Sequence, residues 1–482
     1  MIQSITQFQS KGIKKLDQIF TDYSGGMDRI AEMIYGVTRV VTDLGLSLIA
    51  EEWNFYDDLL RKHQELRPGW QVIRTDETTL TTSLGDVRYH KTYFLNKKTG
   101  KRRYLLDELM GLKKHARLTE DAVARIYEET VETSYRRGGR NASITESEVS
   151  KMTVLNKIHP LDFPKVKPGE RKALPYLYID ADEDHVALQY LEKKGDIQKG
   201  QNHTIMPKDV YVYEGVEEAG GKKRLLGVRH FGGVREGKEN RELWKEVSDY
   251  IEASYDTEAL KKVFLSGDGA QWIKAGVHEI PKARFVLDRY HMHRYIVAAT
   301  SHLEDSVEDA RSEIYRAIHK QKKSMAKAAF DKILAVTESE SKRQTVETAK
   351  GYILGNWSGI TESLKEKENY RGCSAEGHIS HVFSDRMSSR PLGWSRVGAD
   401  KMSRLRIYRQ NKGNMLELVR YQKEKLPKAA SAEEMVLSSS QVMRRAGELR
   451  KEYGNLVDIP TYSIPYPQIR KIAAIRNHLW GL

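Results

Sequence analysis

Three carboxylates occupy positions from which they could share one catalytic site. Asp180 and Asp268 each follow a short apolar run, Tyr176-Leu-Tyr-Ile-Asp180 and Val263-Phe-Leu-Ser-Gly-Asp268, which has the pattern of a buried strand. In α/β folds, ligands bind where such strands end. Glycines on both sides of Asp268 allow a large ligand to approach the backbone.

Glu376 is the best candidate for a third carboxylate. Two Mg²⁺ or Mn²⁺ ions about 4 Å apart can activate an attacking oxygen and stabilise the leaving oxygen at a phosphodiester, and holding them needs a third acid. Glu376 begins a helical stretch whose buried stripe is Ile379, Val382 and Phe383. Asp385, on the same stretch, remains an alternative. The residues therefore predict two divalent cations bound by Asp180, Asp268 and Glu376.

Further polar residues surround these three in the sequence. Asp288 follows the apolar run Phe285-Val-Leu and precedes His291 and His293, so it is either a rival for a place in the site or a group that orients the ligands or the substrate. By contrast, we expect residues 182–184, the acids that directly follow Asp180, to lie on a solvated turn.

A zinc site is a less favoured alternative. Cys373, His378 and His381 are residue types that bind zinc, but their spacing matches no common closed site.

A tyrosine recombinase is a second alternative. The pair His291-x-x-Arg294 resembles part of a recombinase site, in which Arg and His stabilise a phosphotyrosine intermediate. The candidate nucleophiles Tyr315 and Tyr352 lie in charged helical sequence without a paired arginine motif. This reading is therefore also less favoured than the carboxylate site.

Charge indicates a polyanionic partner. The 482 residues include 80 Lys and Arg against 67 Asp and Glu, a net charge of +13, which makes nucleic acid a plausible partner. Residues 134–172 hold nine basic against four acidic residues, and residues 371–412 hold nine against three. We expect these two segments to contact DNA phosphates through Arg136, Arg137, Arg140, Lys151, Lys157, Arg386, Arg390, Arg396, Arg404 and Arg406.

Composition also limits the class of protein and its location. A hydrophobic fraction of 39% with only 12 Pro argues against a disordered or collagen-like chain. The single cysteine, Cys373, excludes an internal disulfide. We expect no stretch of the chain to approach the roughly 20 apolar residues that a membrane span needs. The expected location is the cytoplasm, in association with the nucleoid and without a membrane.

The N-terminal part is predicted to combine helices with a small sheet. Residues 27–63 show helical spacing, and residues 78–84, 87–95 and 102–106 have the pattern of a β-meander. A helix follows from Thr119. Residues 144–159 have the length of a helix-turn-helix, whose second helix would lie in the major groove. A plain helical hairpin with a solvated face remains open for these residues.

An α/β domain is predicted after the Pro-rich residues 160–175. Strands are expected at residues 176–180, 210–216, 224–231, 263–265 and 283–287, with a helix at 244–251. Residues 289–371 read as an all-helical insertion. The predicted division is 1–115 (helices and β-meander), 116–172 (helix-turn-helix region), 173–290 (first part of the catalytic core), 291–370 (insertion), 371–412 (Glu helix and basic segment) and 413–482 (helical tail).

Five sequence blocks carry a resemblance to a known family. They are Tyr178-Ile-Asp-Ala-Asp-Glu-Asp-His185, His230-Phe-Gly-Gly-Val234, Ser266-Gly-Asp-Gly-Ala270, Val286-Leu-Asp-Arg-Tyr-His-Met-His293, and Glu376-Gly-His-Ile-Ser-His381 running to Ser388-Ser-Arg-Pro-Leu-Gly-Trp394. In these blocks the sequence resembles the ISLre-type insertion-sequence transposases, a Mutator-like group of DDE transposases. The similarity extends to about Lys412.

The resemblance implies a fold and a function. It implies an RNase H-like catalytic domain with a mixed five-stranded sheet, in which Asp180, Asp268 and Glu376 bind two Mg²⁺ or Mn²⁺ ions. It also implies an accessory block that contains Asp288, His291 and His293. Such an enzyme cleaves DNA at the terminal inverted repeats of a mobile element and joins the ends to target DNA, as a homodimer or higher oligomer. A DNA-binding regulator or an inactive transposase copy is the non-enzymatic alternative.

Overall fold

The structure of the protein is a computed structural model that describes residues 3–26, 28–145, 149–197, 203–389, 392–424 and 439–452. Its contacts divide the chain into two units. Unit 1 comprises residues 1–126, 136–150 and 423–482, and unit 2 comprises residues 127–135 and 151–422.

Unit 1 places a long helix on a three-stranded antiparallel sheet. Helix α3 contacts β2, where the Asn54 carboxamide oxygen accepts a hydrogen bond from the His90 N–H (2.7 Å) and Asp57 accepts two from Thr92 (2.7 Å each). The elements of unit 1 are α1 (Gln3–Gln7), a π-helical turn (Phe8–Gly12), α2 (Ile13–Ser24), α3 (Ile30–Lys62), a 3-10 turn (Gln64–Leu66), β1 (Trp70–Thr81), β2 (Asp86–Asn96), β3 (Arg102–Tyr104), α4 (Leu105–Leu109), most of α5 (Glu120–Thr130) and of α6 (Tyr135–Arg140), and α19 (Ser439–Glu452).

The predicted N-terminal helix and meander are both present, with one unexpected property. By length and composition α3 could cross a membrane, which differs from the expectation from sequence. Only 11% of the apolar stretch within this helix is buried. Leu59 and Leu60, near the C-terminal end of α3, lie in the core of unit 1. Such a helix near the N-terminus also occurs as a core helix or a signal sequence, so the finding alone assigns no membrane.

Unit 2 is built on a mixed five-stranded sheet. The elements of unit 2 are α7 (Lys151–Ile158), β4 (Tyr176–Glu183), β5 (Val186–Ala187), β6 (Thr204–Ile205), β7 (Pro207–Tyr213), β8 (Gly215–Ala219), β9 (Lys222–Leu226), β10 (Arg229–Val234), α8 (Glu239–Ser254), β11 (Lys262–Gly267), α9 (Gln271–Glu279), β12 (Ala283–Leu287), α10 (Arg289–Thr300), a 3-10 turn (Glu304–Ser306), α11 (Val307–His319), α12 (Lys323–Val336), α13 (Glu340–Gly355), α14 (Trp357–Lys365), α15 (Ala375–Ile379), a π-helical turn (Ser380–Ser384), α16 (Asp385–Met387), α17 (Arg396–Gln410) and most of α18 (Met415–Glu424). The strand order is β10-β7-β4-β11-β12.

The two faces of this sheet differ in chemistry. Strand β4 pairs antiparallel with β7 and parallel with β11, and β11 pairs parallel with β12. Since side chains alternate along a strand, Ile179 and Leu265 on one face pack with Trp244 of α8 in an apolar core. The opposite face carries Tyr178 and Tyr211 in a smaller aromatic cluster. The same strands therefore supply a core on one side and polar groups on the other.

The strand predictions are confirmed apart from two segments. The stretch predicted as one strand over residues 210–216 is divided between β7 and β8, which belong to different sheets. The stretch predicted as a single strand over residues 224–231 is divided between β9 and β10, and β9 instead forms a hairpin with β8. The break falls at Gly227, which has φ +63° and where a Cβ would lie 2.5 Å from the Glu214 carboxyl carbon. This left-handed turn favours glycine and ends the strand.

The insertion between β12 and α15 is helical, as predicted. Its helices α10 to α14 enclose their own core around Phe330, Val346 and Ile353. In the helix-turn-helix region, α7 is present. Residues 146–148, at the centre of the first predicted helix, lie outside the described residues. The helix-turn-helix and the six-part domain division both stay predictions.

The β11 core gives a stability prediction. Leu265 is fully buried, so Leu265→Ala should lower the free energy of unfolding by about 2–5 kcal/mol through lost burial and a residual cavity. Urea unfolding followed by circular dichroism measures this change. Val336→Ala is the matched control, because Val336 is 67% exposed, and should change stability by less than about 0.5 kcal/mol. Equal effects of the two substitutions would contradict this description of the core.

Candidate functional site

Three aspartates lie at the same edge of the sheet, at the carboxyl ends of the three parallel strands. Asp180 of β4 pairs with Ser266 of β11, and continuing this register by two residues brings Asp182 next to Asp268, which follows the end of β11. Gly267 pairs with Leu287 of β12, and the Asp288 N–H donates to the Gly267 carbonyl (2.9 Å), so Asp288 comes next to Asp268. Adjacent strands are about 4.8 Å apart. The register therefore gathers Asp182, Asp268 and Asp288 at one edge of the sheet.

His291 provides independent support for this grouping. Its Nδ1 lies 2.9 Å from the Asp288 carboxylate. The hydrogen bond with Asp288 raises the pKa of His291; burial opposes that rise, and the charges of Asp288, Asp182 and Asp268 add to it. Asp182 and Asp288 are 8% and 6% exposed, whereas Asp268 is half-buried. The expectation that residue 182 lies on a solvated turn is wrong, because β4 continues through Glu183.

Asp180 has a different environment. Its side chain is 0% exposed. One carboxylate oxygen accepts from the Tyr211 hydroxyl (2.8 Å), the Ser374 N–H (2.8 Å) and the Ser374 hydroxyl (3.2 Å), and the other accepts from Tyr213 (3.4 Å). Burial raises the pKa of Asp180 to about 6, against the effect of these hydrogen bonds. Protein groups therefore enclose the Asp180 carboxylate.

Asp180 fixes the start of the helix that carries Glu376. Ser374 immediately precedes α15, so its two bonds to Asp180 attach that helix to β4. The Tyr213 hydroxyl shares its one proton between Asp180 and the Gly372 carbonyl (3.2 Å), and Tyr178 donates to the Asn369 carbonyl (2.6 Å). These bonds hold residues 369–372, which precede the helix, on the same sheet face. Glu376 lies in α15, and its side chain is outside the described part of the structure.

The far end of the same helical stretch is attached to the end of β4. After α16, the Ser388 hydroxyl donates to Asp184 (3.0 Å). The second carboxylate oxygen of Asp184 is buried without a hydrogen-bond partner in the described structure. Residues 375–387 are thus connected to β4 through Asp180 at one end and Asp184 at the other, and Asp182 lies between these two along the chain. The predicted buried stripe of Ile379, Val382 and Phe383 is confirmed.

The donor set suits a hard cation, but the acids do not form a closed site. Aspartate and glutamate oxygens are the ligands that Mg²⁺ and Mn²⁺ prefer. Among the described side chains, no group of three or more His, Cys, Asp or Glu has the arrangement of a metal site.

The described geometry does not favour the zinc alternative. The His378 Nδ1 lies 3.1 Å from the Ser374 carbonyl, and its ring stacks on Tyr211 with centroids 4.4 Å apart. His381 is exposed beside Asp385. Burial raises the pKa of the Cys373 thiol well above its usual range, which opposes the thiolate form that zinc needs.

The insertion contacts the loop that carries Asp268. The Tyr352 hydroxyl donates to the Asp268 carbonyl (2.5 Å). A Cβ at Gly269, where φ is +90°, would lie 2.6 Å from the Asn356 carboxamide oxygen. His293, predicted as an accessory group, lies with its Nδ1 2.6 Å from the Tyr315 hydroxyl in the insertion. Tyr315 and Tyr352, the candidate recombinase nucleophiles, are therefore both engaged in hydrogen bonds.

Several arginines of the basic segment after Glu376 bind other groups of the protein. Arg406 is 4% exposed and donates to the carbonyls of Val131, His381 and Val382. It was predicted to hold phosphate, and this burial argues against that role. The other predicted residues of this segment lie as follows: Arg396 pairs with Glu236 (2.6 Å), Arg404 pairs with Asp400 (2.7 Å), Arg386 covers the Trp394 ring (4.9 Å), and Arg390 is outside the described residues.

The basic residues predicted before the α/β core are more accessible. Arg136, Arg137, Arg140, Lys151 and Lys157 are all exposed. Their role in DNA binding stays a prediction.

Asp182 was the most important residue that the sequence reading misassigned. The signal was present, because Asp180, Asp182 and Asp184 alternate along an apolar strand, and a period of two puts all three on one face.

The fold and site define a mixed α/β protein with an acidic cluster at the carboxyl ends of parallel strands. The model of an uncharacterised protein family, UPF0236, matches residues 24–425, and the chain belongs to that family.

Known relatives cover nearly the whole chain. A UPF0236 protein of Caldanaerobacter subterraneus subsp. tengcongensis is 36% identical over 461 residues, which are 95% of this chain and 94% of that protein. A second from the same organism is 34% identical over 465 residues, 96% of this chain and 95% of that protein. The "UPF0236 protein in vanSb 3'region" of Streptococcus gallolyticus is 22% identical over 358 residues, 71% of this chain and 75% of that protein.

Among solved structures, the Drosophila P element transposase strand transfer complex shows 12% identity over 71% of this chain and 88% of that one. The TM-score is 0.22, which is too low to carry an argument about fold or function.

The position of Arg406 gives a prediction that separates structure from DNA binding. Arg406→Met leaves three carbonyls without their donor, and it should lower the free energy of unfolding by about 3 kcal/mol. Urea unfolding measures the change. Arg409→Met, on the same helix, is the control: Arg409 is 47% exposed and pairs with Glu132, so its loss should cost below about 1 kcal/mol. An unchanged stability with weakened DNA binding would instead support the phosphate role of Arg406.

Proposed function

We propose that this protein is a DDE transposase of the ISLre type, which cleaves DNA at the ends of an insertion sequence and transfers the freed 3′ ends to target DNA. The observation that carries this proposal is the level row of Asp182, Asp268 and Asp288, beneath a helical stretch that bears Glu376 and is attached to the same strand. Acids that follow separate parallel strands and meet at one sheet edge can bind divalent cations.

The order of elements supports an RNase H-like catalytic domain. Three antiparallel strands β4, β7 and β10 are followed by a helix, the parallel strand β11, a helix and the parallel strand β12. An all-helical insertion then separates β12 from the helix with Glu376. This is the order that the family resemblance implies, with the first strand in the middle of the sheet.

Within this proposal the ligand from the first strand is Asp182 instead of Asp180. Asp182 comes level with Asp268, whereas Asp180 lies one pleat further from the sheet edge and is enclosed by Tyr211 and Ser374. Asp182, Asp268 and Glu376 would hold the Mg²⁺ or Mn²⁺ ions, and Asp180 positions the Glu376 helix. Asp288 and His291 complete the edge of the site.

The chain's own groups have separate tasks in phosphoryl transfer. Bound divalent cations would activate the attacking oxygen and neutralise charge on the phosphodiester. Asp268, the half-exposed member of the row, is the acid that an incoming phosphodiester approaches. Asp288 favours the protonated form of His291, and this places a positive charge where the phosphate gains negative charge. Little further covalent chemistry is needed from the protein.

The names of the relatives add support of another kind. The name of one Caldanaerobacter relative contains eleven locus designations, all from one strain. Repeated loci are what a mobile element produces. Because transposition brings two DNA ends together, we further propose a homodimer or higher oligomer on DNA.

Activity on element ends tests the proposal. With Mg²⁺ or Mn²⁺ and a duplex that carries both ends of the element, the protein should cleave and transfer strands. Asp182→Asn, Asp268→Asn and Glu376→Gln should each reduce the rate by at least about a hundredfold, because even residues that only support metal ligands contribute 10–100-fold. Asp249→Asn, at an exposed position of α8, should leave the rate unchanged. End binding without cleavage at any metal concentration would indicate a regulator or an inactive copy.

Metal binding separates the roles of Asp180 and Asp182. Mn²⁺ at a hundred times its dissociation constant stabilises a protein by about 2.7 kcal/mol, and thermal unfolding with and without Mn²⁺ measures the shift. Asp180→Asn should lower the melting temperature in both conditions yet keep the Mn²⁺-dependent rise. Asp182→Asn and Asp268→Asn should lose that rise. The opposite pattern would return the metal-ligand role to Asp180.

A further inference from the structure

A basic corner of the helical insertion has no role in the site described above. Residues 316–327 join the end of α11 to the start of α12 and contain one Arg, four Lys and no acid. All five basic side chains of this insertion corner are exposed: Arg316, Lys320, Lys322, Lys323 and Lys327. Unlike residues 134–172 and 371–412, this corner does not stand out in the charge of a long segment, because acids elsewhere in the insertion offset its positive charge.

The backbone makes this corner a tight and well-supported turn. Gln321 has φ +53°, and its N–H donates to the Ile318 carbonyl (2.8 Å), while the Lys322 N–H donates to the Ala317 carbonyl (3.0 Å). Beneath the turn, Ile318 and Phe330 are buried in the core of the insertion. The turn brings the two helix ends together, so the five cations occupy one surface.

Carboxylates do not neutralise the corner. In the described part of the chain, none of its five basic residues forms an ion pair. The acids that flank it in sequence are already engaged, since Glu313 pairs with Lys332 (2.6 Å) and Asp331 pairs with Lys350. Arg396, Arg404 and Arg406 differ from these residues, because the first two pair with acids and the third donates to backbone carbonyls.

The start of α12 concentrates positive potential further. Its first turn contains no acid, and the Lys322 side chain at the N-cap does not bond to the helix N–H groups. Cations are disfavoured at a helix N-terminus because the unsatisfied N–H groups carry partial positive charge. Lys322 and Lys323 therefore occupy positions that the helix itself opposes. A bound anion would relieve this repulsion.

We propose that the insertion corner binds the phosphate backbone of double-stranded DNA without reading its sequence. This inference rests on the proposed function only for the choice of DNA as the polyanion. A lipid surface is less suited to the corner, because membrane-surface helices expose an apolar face beside their basic residues. In the described structure no large exposed apolar side chain falls within residues 316–327.

A charge-matched pair of variants tests the corner. The variant K320Q/K322Q/K323Q removes three corner charges. K342Q/K365Q/K367Q removes three exposed charges from positions within two residues of a glutamate. The full-length proteins are titrated against a labelled 30-base-pair duplex of random sequence, in EDTA, from 50 to 200 mM NaCl, with fluorescence anisotropy as the readout. Thermal unfolding confirms that both variants fold like the wild type.

The corner variant should bind roughly tenfold or more weakly at 100 mM salt. The slope of log affinity against log salt should fall by about 3, which is close to one unit per phosphate contact. The control variant should change both quantities much less. Equal behaviour of the two variants would overturn the proposal. So would unchanged DNA binding by the corner variant together with lost binding to phosphatidylserine vesicles.

Failure here can be told apart from failure of the transposase proposal. If the corner variant loses duplex binding while Asp268→Asn still cleaves element ends, the corner stands and the catalytic assignment falls. If Asp268→Asn abolishes cleavage while the corner variant binds DNA like the control, the catalytic assignment stands and the corner falls. A wild-type protein that binds no duplex at 50 mM salt overturns both.

Discussion

The burial of Asp180 is the constraint on which the candidate site depends. A carboxylate without solvent contact must be fully hydrogen-bonded or neutralised, and here Tyr211, Tyr213 and Ser374 supply the donors. The bond with the Ser374 N–H extends this requirement to a segment 194 residues away in sequence. A residue enclosed in the sheet thereby determines where the Glu376 helix begins, and the helix starts on the same strand that carries Asp182. Asp180 therefore anchors this helix to β4.

Strand alternation explains why one short element can do this. The odd positions of β4, Ile179 and Ala181, pack in the apolar core, and the even positions, Asp180 and Asp182, face the other side. Parallel pairing with β11 then transfers the same alternation to Ser266 and Asp268. A shift of one residue would turn the acids into the core, where their charge could not be accommodated. The register that buries the core is thus also the register that aligns the acids.

Much of this architecture could be predicted from local sequence patterns. The mixed sheet, the helical insertion and the buried stripe beneath the Glu376 helix follow from spacing that acts over a few residues. The role of Asp180 could not be predicted, because its partners Tyr211 and Ser374 are distant in sequence and become neighbours only through the fold. Asp182 was misassigned for a related reason. Acids after an apolar run usually mark a turn, and only the continued pairing with β7 keeps residue 182 inside the strand.

The number of basic residues in a segment also differs from the positive charge that the segment exposes. Residues 371–412 are the more basic of the two segments that counting singled out, yet Arg406 is consumed by backbone carbonyls, and Arg396 and Arg404 by acids. Residues 316–327 are less conspicuous over a long window, but their charges are exposed and the neighbouring acids are occupied elsewhere. Attraction of a polyanion depends on the electrostatic potential at the surface. Residues 316–327 are therefore the stronger electrostatic feature. A surface that could attract a polyanion is therefore better sought where basic residues lack acidic partners than where they are most frequent.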